Sequence, residues 1–342
     1  MTFTGELGAL TPEQERHWQE LYERFGTRVQ QSPAYARAVR AAGRRVLVVL
    51  ADGAALALTQ DGEFCTALCD DQPLLAGEPG PEPLARLVDA VHRSAGVPVY
   101  LPLVDAGYAD CADCVHRVGA RASGPFTAWA RPPNSLVDWS RDGADLWERA
   151  LARGNSQLRR KRRLVERDGL TLSAGAAGPR AAEDMLRVDD RSWKADRGQS
   201  MRSRGGQDRL YRRLVEDGTL TAAFLRDGDR PVAFRLDARV KDRVMCLKWS
   251  YDEAYRRYSP GLHLLTEGLR REWGGARGVR VVDLHGGPDT LKDLLYSARS
   301  PRVDLWYGDP ELGARRAAER AAFDARVAGA HDHGKGLRHA FG

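Results

Sequence analysis

The chain has 342 residues, 42% of them hydrophobic and 29% charged, with a formal net charge of +6. That length holds two ordinary domains or one large one, and the composition is that of a folded globular protein. No apolar run nears the roughly 20 residues that cross a bilayer, and MTFTGELGALTPEQERHW has neither a basic n-region nor an apolar h-region, so a cytoplasmic chain is expected.

In chain order, Thr11-Pro12-Glu13 reads as an N-cap, a first-turn proline and an early acid. Trp18, Leu21, Tyr22 and Phe25 follow at helical spacing, and Gly26 closes the helix. Ser32-Pro33 starts a second helix, and Arg45–Leu50 with Ala54–Leu58 predicts a hairpin about Asp52-Gly53. A helix over Leu84–Ser94 and strands over Val97–Leu103 and Phe126–Ala130 complete an α/β half without a catalytic motif. The cysteines Cys65, Cys69, Cys111, Cys114 and Cys246 form no dense framework, so disulfides are not expected. Cys111-x-x-Cys114 with His116 is half a zinc site at most; no second ligand pair follows, and the reading is no metal.

One long helix is predicted from Asp145 to Gly169, with Leu146, Trp147, Ala150, Leu158 and Leu164 as its apolar stripe. Arg153, Arg159, Arg160, Lys161, Arg162, Arg163 and Arg167 dominate the rest. Such a run is often a solvated face, yet five consecutive cations repel one another, and phosphate is their natural partner. A strand at Leu170–Ser173 and helices over Pro179–Ser192 and Gly206–Asp217 follow, with a loop at Trp193–Gly198 between the helices. A meander of Leu220–Leu225, Pro231–Arg239 and Arg243–Trp249 comes next. Ser259-Pro260-Gly261 opens a helix through Trp273, then come a strand at Val279–Leu284, a short helix with Lys292 and a last strand at Arg302–Tyr307. Beyond Pro310 the sequence predicts an Ala/Arg/Glu helix and a disordered tail bearing His331 and His333.

Several residues carry two readings. Trp193 is an interdomain plug or a ligand stack; Lys194 beside it meets phosphate or an acyl carbonyl. Asp283 caps a turn or takes the proton of an acceptor amine, with His285 as the other base. Lys292 polarises a carbonyl or is an ordinary surface lysine, and Tyr251 and Tyr258 line an acyl pocket or simply pack. No Ser-His-Asp or Cys-His arrangement, Walker motif or GxGxxG is present, which argues against covalent catalysis, ATP-dependent ligation and nicotinamide chemistry.

Certain stretches together carry a family resemblance. They are Gln31-Ser32-Pro33, the basic run Asn155-x-x-Leu158-Arg159-Arg160-x-Arg162-Arg163-Leu164, Ser192-Trp193-Lys194 and Trp249-x-Tyr251-Asp252-x-x-Tyr255. Ser259-Pro260-Gly261 and Asp283-x-x-Gly286-Gly287 with Lys292 complete the set. In this order they resemble the GNAT acyltransferase superfamily, in particular its CelD-like and Fem-type branch, whose Fem-type members use aminoacyl-tRNA. The resemblance implies an α/β (α+β) fold of tandem GNAT-like domains, each a mixed, mostly antiparallel sheet flanked by helices. Its expected parts are an N-terminal domain over 1–143, a basic helix over 144–169, a catalytic domain over 170–309 and a helix with a flexible tail over 310–342. It implies direct, metal-free acyl transfer to an amine, with no cofactor beyond the donor. Catalytic roles would fall to Asp283, His285 and Lys292, substrate contacts to Trp193, Lys194, Tyr251, Tyr258, Ser259 and Gly261, and tRNA phosphates to the basic run from Arg153 to Arg167. The stretch Arg256–Leu262 departs from a CoA-binding loop, having one glycine and a proline without an N–H. Aminoacyl-tRNA is therefore the expected donor, acetyl- or acyl-CoA the alternative, and a non-catalytic RNA-binding protein the reading from outside enzymes.

Overall fold

The structure is a computed structural model, and it describes residues 3–51, 53–68, 74–75, 81–105, 123–142, 158–272, 278–285 and 296–335. Its centre is a mixed sheet of thirteen strands among these residues: β1 (Phe3–Glu6), β2 (Val46–Ala51), β3 (Ala54–Asp61), β4 (Phe64–Ala67), β5 (Leu74–Leu75), β6 (Val99–Asp105), β7 (Phe126–Asp138), β8 (Thr171–Ala176), β9 (Thr221–Asp227), β10 (Arg230–Val240), β11 (Arg243–Tyr251), β12 (Val281–Asp283) and β13 (Ala298–Tyr307). The spatial order is β1-β2-β3-β4-β6-β13-β7-β12-β11-β10-β9-β8, with β5 beside β3. Pairing is antiparallel except at β4·β6 and β11·β12. The last strand therefore enters the middle of the sheet, between β6 and β7.

The helices are α1 (Pro12–Phe25), α2 (Pro33–Ala41), α3 (Pro81–Ala95), α4 (Trp139–Asp142), α5 (158–167), α6 (Pro179–Asp189), α7 (Trp193–Asp196), α8 (Gln207–Glu216), α9 (Pro260–Glu267) and α10 (Pro310–Lys335). The sequence signals explain their starts. Thr11 caps α1, accepting from Gln14 N at 3.2 Å while the Gln14 side chain takes the Thr11 N–H at 2.9 Å. Ser32 caps α2 by accepting from Tyr35 N at 3.1 Å. Both helices pack with α6 and α8 over β2, β9, β10 and β11 in one apolar cluster that includes Trp18, Val39, Met185, Leu214 and Phe234. On the opposite face, Val165 of α5 and Leu264 of α9 join Leu225, Val232 and Tyr258 in a second cluster.

Some predicted bounds shift for physical reasons. The strand expected to stop at Ala130 continues through Pro132-Pro133 to Asp138. A proline cannot donate to the ladder, and the register with β13 slips there, between Ser300 and Arg302. The Arg302 guanidinium fills the slip, donating to the Pro132 carbonyl at 2.9 and 3.1 Å. The helix expected through Trp273 leaves the α form after Glu267 for a π turn over Gly268–Glu272, which brings Glu272 within 2.9 Å of the buried Arg235. The loop at Trp193 is the single-turn helix α7, capped by Ser192. Helix α10 runs on to Lys335, so His331 and His333 are helical rather than tail.

Of the long basic helix, the part described is α5; Leu146, Trp147, Ala150 and Arg153 lie outside the described residues, as do Cys69, Cys111, Cys114, His116, Gly286, Gly287 and Lys292. Cys65 and Cys246 are buried free thiols. Among the described residues no helix is long and apolar enough to cross a membrane.

Candidate active site

Strands β11 and β12 run parallel for only three register pairs, Arg243 with Val281, Val244 with Val282 and Met245 with Asp283. There they part. β11 continues to Tyr251 with β10 along its other edge, whereas Leu284 turns away and donates its N–H to the Ser135 carbonyl at 3.1 Å. Among the described residues no strand follows that edge of β11, and such an edge presents backbone donors and acceptors to whatever enters the gap. Just past the parting the β10·β11 register slips: Leu236 faces Lys248 while Asp237 faces Cys246, so Leu247 is an extra, bulged residue. A bulge breaks the alternation of side chains. Leu247 and Lys248 therefore point to the same face, toward α8, while Trp249 returns to the α9 face beside Leu262.

On the α9 face lies a cavity of about 260 Å³, lined by Arg159, Lys161 and Arg162 of α5 and by Ser259, Leu262 and His263 at the start of α9. Ser259 has φ +50°, ending the 3-10 turn Glu253–Tyr258 and opening the helix. Its own N–H is taken by the Arg256 carbonyl at 3.0 Å and Pro260 has none, so the first backbone donors are those of Gly261 and Leu262. A Cβ on Gly261 would stand 3.6 Å from Trp249 Cδ1, an ordinary contact, so packing alone does not require glycine there. Burial lowers the pKa of His263.

Helix α5 is pinned by its inner residues and exposed on its outer ones. Leu158 and Val165 are buried, and Lys161 donates to the Arg257 carbonyl. Arg162 pairs with Glu166 at 2.8 Å and Arg167 with Asp168 at 2.7 Å. Asp168 also accepts from the Tyr258 hydroxyl at 2.8 Å and pairs with Arg257 at 3.3 Å, which fixes the turn before α9 to the end of α5. Arg159, Arg160, Arg163 and Arg167 are exposed and border one open groove of about 430 Å³.

On the opposite face a cavity of about 370 Å³ reaches the gap. His285, with φ +48°, lines it from the end of β12, and Lys194 of α7 lines it from below. The Lys194 ammonium donates to the Trp249 carbonyl, on the stretch of β11 beyond its pairing with β12. Burial, and after it the Lys248 charge, pulls the Lys194 pKa down to about 8.

Asp283 is wholly buried in the wall between the sheet and the α1–α2 connection. It pairs with Arg28 at 3.3 Å and Arg243 at 3.7 Å, and accepts from Asn134 Nδ2 at 2.7 Å and His285 N at 2.9 Å. Burial opposes its charge, but the Arg28, His285 and Arg243 charges and the Asn134 bond outweigh it and hold the pKa at about 2. A carboxylate so engaged anchors His285 and has little capacity left for an ammonium proton.

The structure thus brings Lys194 and His285 to one cavity and Ser259, Arg159, Lys161 and Arg162 to the other. It does not bring in the aromatic candidates. Tyr258 is buried in the core with its hydroxyl on Asp168, Tyr251 packs at the edge of the same cluster, and the Trp193 ring lies 5.1 Å under the Arg197 guanidinium. Arg28, Asn134, Arg204 and Lys248 stand beside the site residues and carry no signal in the sequence. The first two meet Asp283 across 255 and 149 residues, and only the bulge turns Lys248 inward.

A mixed, mostly antiparallel sheet flanked by helices is what the family resemblance implies. Residues 152–293 match the family model for the acetyltransferase (GNAT) domain. That match covers under half of the chain. No curated protein matches the chain significantly. Among solved structures, the C-terminal domain of a putative lysylphosphatidylglycerol synthetase from Agrobacterium fabrum is similar at 18% identity and a TM-score of 0.60, over 92% of this chain and 96% of that one. FemX is similar at 11% identity and 0.62, over 92% and 99%. The lysylphosphatidylglycerol synthetase structure L-PGS from Bacillus licheniformis is similar at 13% and 0.58, over 89% and 94%. At such identities these likenesses concern the fold. The chain shares its overall fold with FemX and with these synthetase structures.

Proposed function

We propose that the protein transfers an aminoacyl group from aminoacyl-tRNA to an amine, forming an amide by direct attack. The observation that carries this reading is the parting of β11 and β12, with an arginine-lined helix on one side of the gap and Lys194 with His285 on the other. The resemblance to Fem-type transferases and the fold shared with FemX support it. The tRNA phosphates lie along Arg159, Arg160, Arg163 and Arg167, and the charged 3′ end enters the gap. The acceptor arrives from the α8 side. His285 takes a proton from the ammonium, the amine nitrogen attacks the ester carbon, and Lys194 faces the oxygen on which charge develops. The C–O bond to the ribose then breaks as His285 hands its proton to the leaving oxygen, and the second proton that the nitrogen sheds returns to His285 and then to solvent. The ester is already activated, so positioning and charge stabilisation suffice.

The cavity on the α9 face favours a second reading, an acyl-CoA-dependent N-acyltransferase. It sets Arg159, Lys161 and a helix start around a space that suits a pyrophosphate. Against it stands the shortage of backbone donors at Ser259-Pro260. The deciding experiment incubates the protein with radiolabelled aminoacyl-tRNA, and separately with labelled acetyl-CoA, in the presence of amine acceptors. Label moving from one amino acid's tRNA into a ribonuclease-resistant amide supports the proposal. Label moving only from acetyl-CoA replaces it with the second reading, and tRNA binding with no transfer makes the protein an RNA-binding relative.

A further inference from the structure

The buried acids among the described residues are satisfied in one of two ways, with one exception. Asp184, Asp237, Asp252, Glu267, Asp283 and Asp304 each pair with an arginine. Asp89 accepts from the hydroxyls of Ser123 and Tyr307. Asp189, only 1% exposed, has neither kind of partner. Its Oδ2 accepts from Met201 N at 2.6 Å, whereas its Oδ1 is buried without a hydrogen bond. Asp189 is also the last residue of α6, where the free carbonyl ends of a helix disfavour negative charge. A buried acid with an unmade bond costs free energy, and stability alone gives no reason to keep it.

The reason lies at the cavity of the α8 face. From Asp189 the chain makes one tight turn, in which Ser192 donates its hydroxyl to the Asp189 carbonyl at 2.7 Å and accepts from Lys194 N at 3.3 Å. It then folds back until Met201 N meets the Asp189 carboxylate. Lys194 thus rides on a loop fastened at both ends to Asp189, and its ammonium reaches the Trp249 carbonyl at the gap. Around that ammonium stand Lys248 and Cys246 of β11, Arg204 ahead of α8, Tyr211 of α8 and His285 at the end of β12. The charges of Lys248 and Arg204 act against its own, and the Asp189 charge acts for it. Asp189 does not line the cavity, so it acts from behind the wall.

We propose that Asp189 is a positioning residue for Lys194: its carboxylate, fixed by the turn and by Met201 N, keeps that side chain an ammonium directed at the gap. From the transfer reading the proposal takes only the use made of Lys194. A lysine that faces an oxygen gaining negative charge must hold its proton at the moment of attack. Burial and neighbouring cations work to strip that proton, and a counter-charge inside the protein opposes them. A carboxylate in direct contact would compete with the oxyanion for the same N–H groups. Standing back, Asp189 supports the charge and leaves the face toward the gap open.

The test uses the full chain without any donor. Its amines are labelled with trace acetic anhydride between roughly pH 6 and 10, and the rate at Lys194 is followed by peptide mass spectrometry. Asp189→Asn removes the charge but keeps an oxygen for Met201 N, so the loop stays fastened. The Lys194 midpoint should fall, and the neutral amine at pH 7 should rise roughly three- to five-fold. Asp190→Asn, at an exposed neighbour paired with Arg202, is the control and should leave the midpoint in place. An unmoved midpoint in Asp189→Asn, with or without a lower melting temperature, overturns the proposal, as does an equal fall in Asp190→Asn. Should the amide variant not fold, Asp189→Ser offers the same N–H a smaller acceptor and is read in the same way. In transfer assays the rate of Asp189→Asn should decline from a lower pH at an unchanged KM. If the midpoint falls as expected but no label leaves either donor, the transferase reading fails and the hold of Asp189 on Lys194 stands.

Discussion

Lys194 is protonated below its pKa of about 8 and loses its charge above it. A rate that depends on that ammonium therefore declines as pH rises through about 8. Lys194→Gln should lower kcat roughly 10²–10³-fold, the usual effect of removing a donor from a developing oxyanion, and erase that alkaline limb; single-turnover rates across pH read both. Asp283 works in the other direction. Its folded pKa of about 2 lies below the usual unfolded carboxylate value, so its stabilisation is complete above roughly pH 4 and is lost as pH falls from there toward 2. Asp283→Asn leaves Arg28 and Arg243 facing a neutral group, and denaturant unfolding at pH 7 should show a loss of about 3–5 kcal/mol, far smaller at pH 2. At this scale the sequence pointed to Lys194, Asp283 and His285 through their neighbours in the chain. It could not point to Arg28 or Asn134, whose meeting with Asp283 is made only by the tertiary fold.

Helix α5 divides its charge by position. Lys161, Arg162 and Arg167 spend theirs on the Arg257 carbonyl, Glu166 and Asp168, whereas Arg159 and Arg163 face outward. Arg159→Gln/Arg163→Gln should weaken tRNA binding by a similar factor for every tRNA species and reduce the slope of log affinity against log salt by about 2; filter binding between roughly 50 and 200 mM salt measures it. Arg162 and Arg167 should contribute less, since each already has a carboxylate. The helices were legible because their caps and 3.6-residue periods are local, as Thr11, Ser32 and Pro179 show. The slip at Pro132-Pro133, the π turn after Glu267 and the bulge at Leu247 were not. Each is set by a partner on another element: Arg302, Arg235 or β10.

At the scale of the molecule, β13 is the piece that joins β6 to β7. Its buried Asp304 accepts from the Tyr100 hydroxyl at 2.8 Å and Leu103 N at 2.7 Å and pairs with Arg131 at 3.3 Å, so polar as well as ladder contacts converge on it. A chain ending after residue 297 should leave two long bare edges and be recovered as aggregate, whereas one ending after 309 should remain soluble; sedimentation of the two separates these outcomes. The meander and helix order of the second half were readable in the sequence, while the placing of the last strand inside the first half was not, because strand order leaves no trace in local spacing.

That placing sets a timetable for synthesis. On a ribosome β7 is complete at residue 138 and β13 begins only at residue 298. At about 5–20 residues per second the wait is roughly ten to thirty seconds. For that time the nascent chain carries β6 and β7 with nothing between them. The interval is long enough for chaperone capture, and slow codons that help other proteins fold piecewise would here only prolong the exposure.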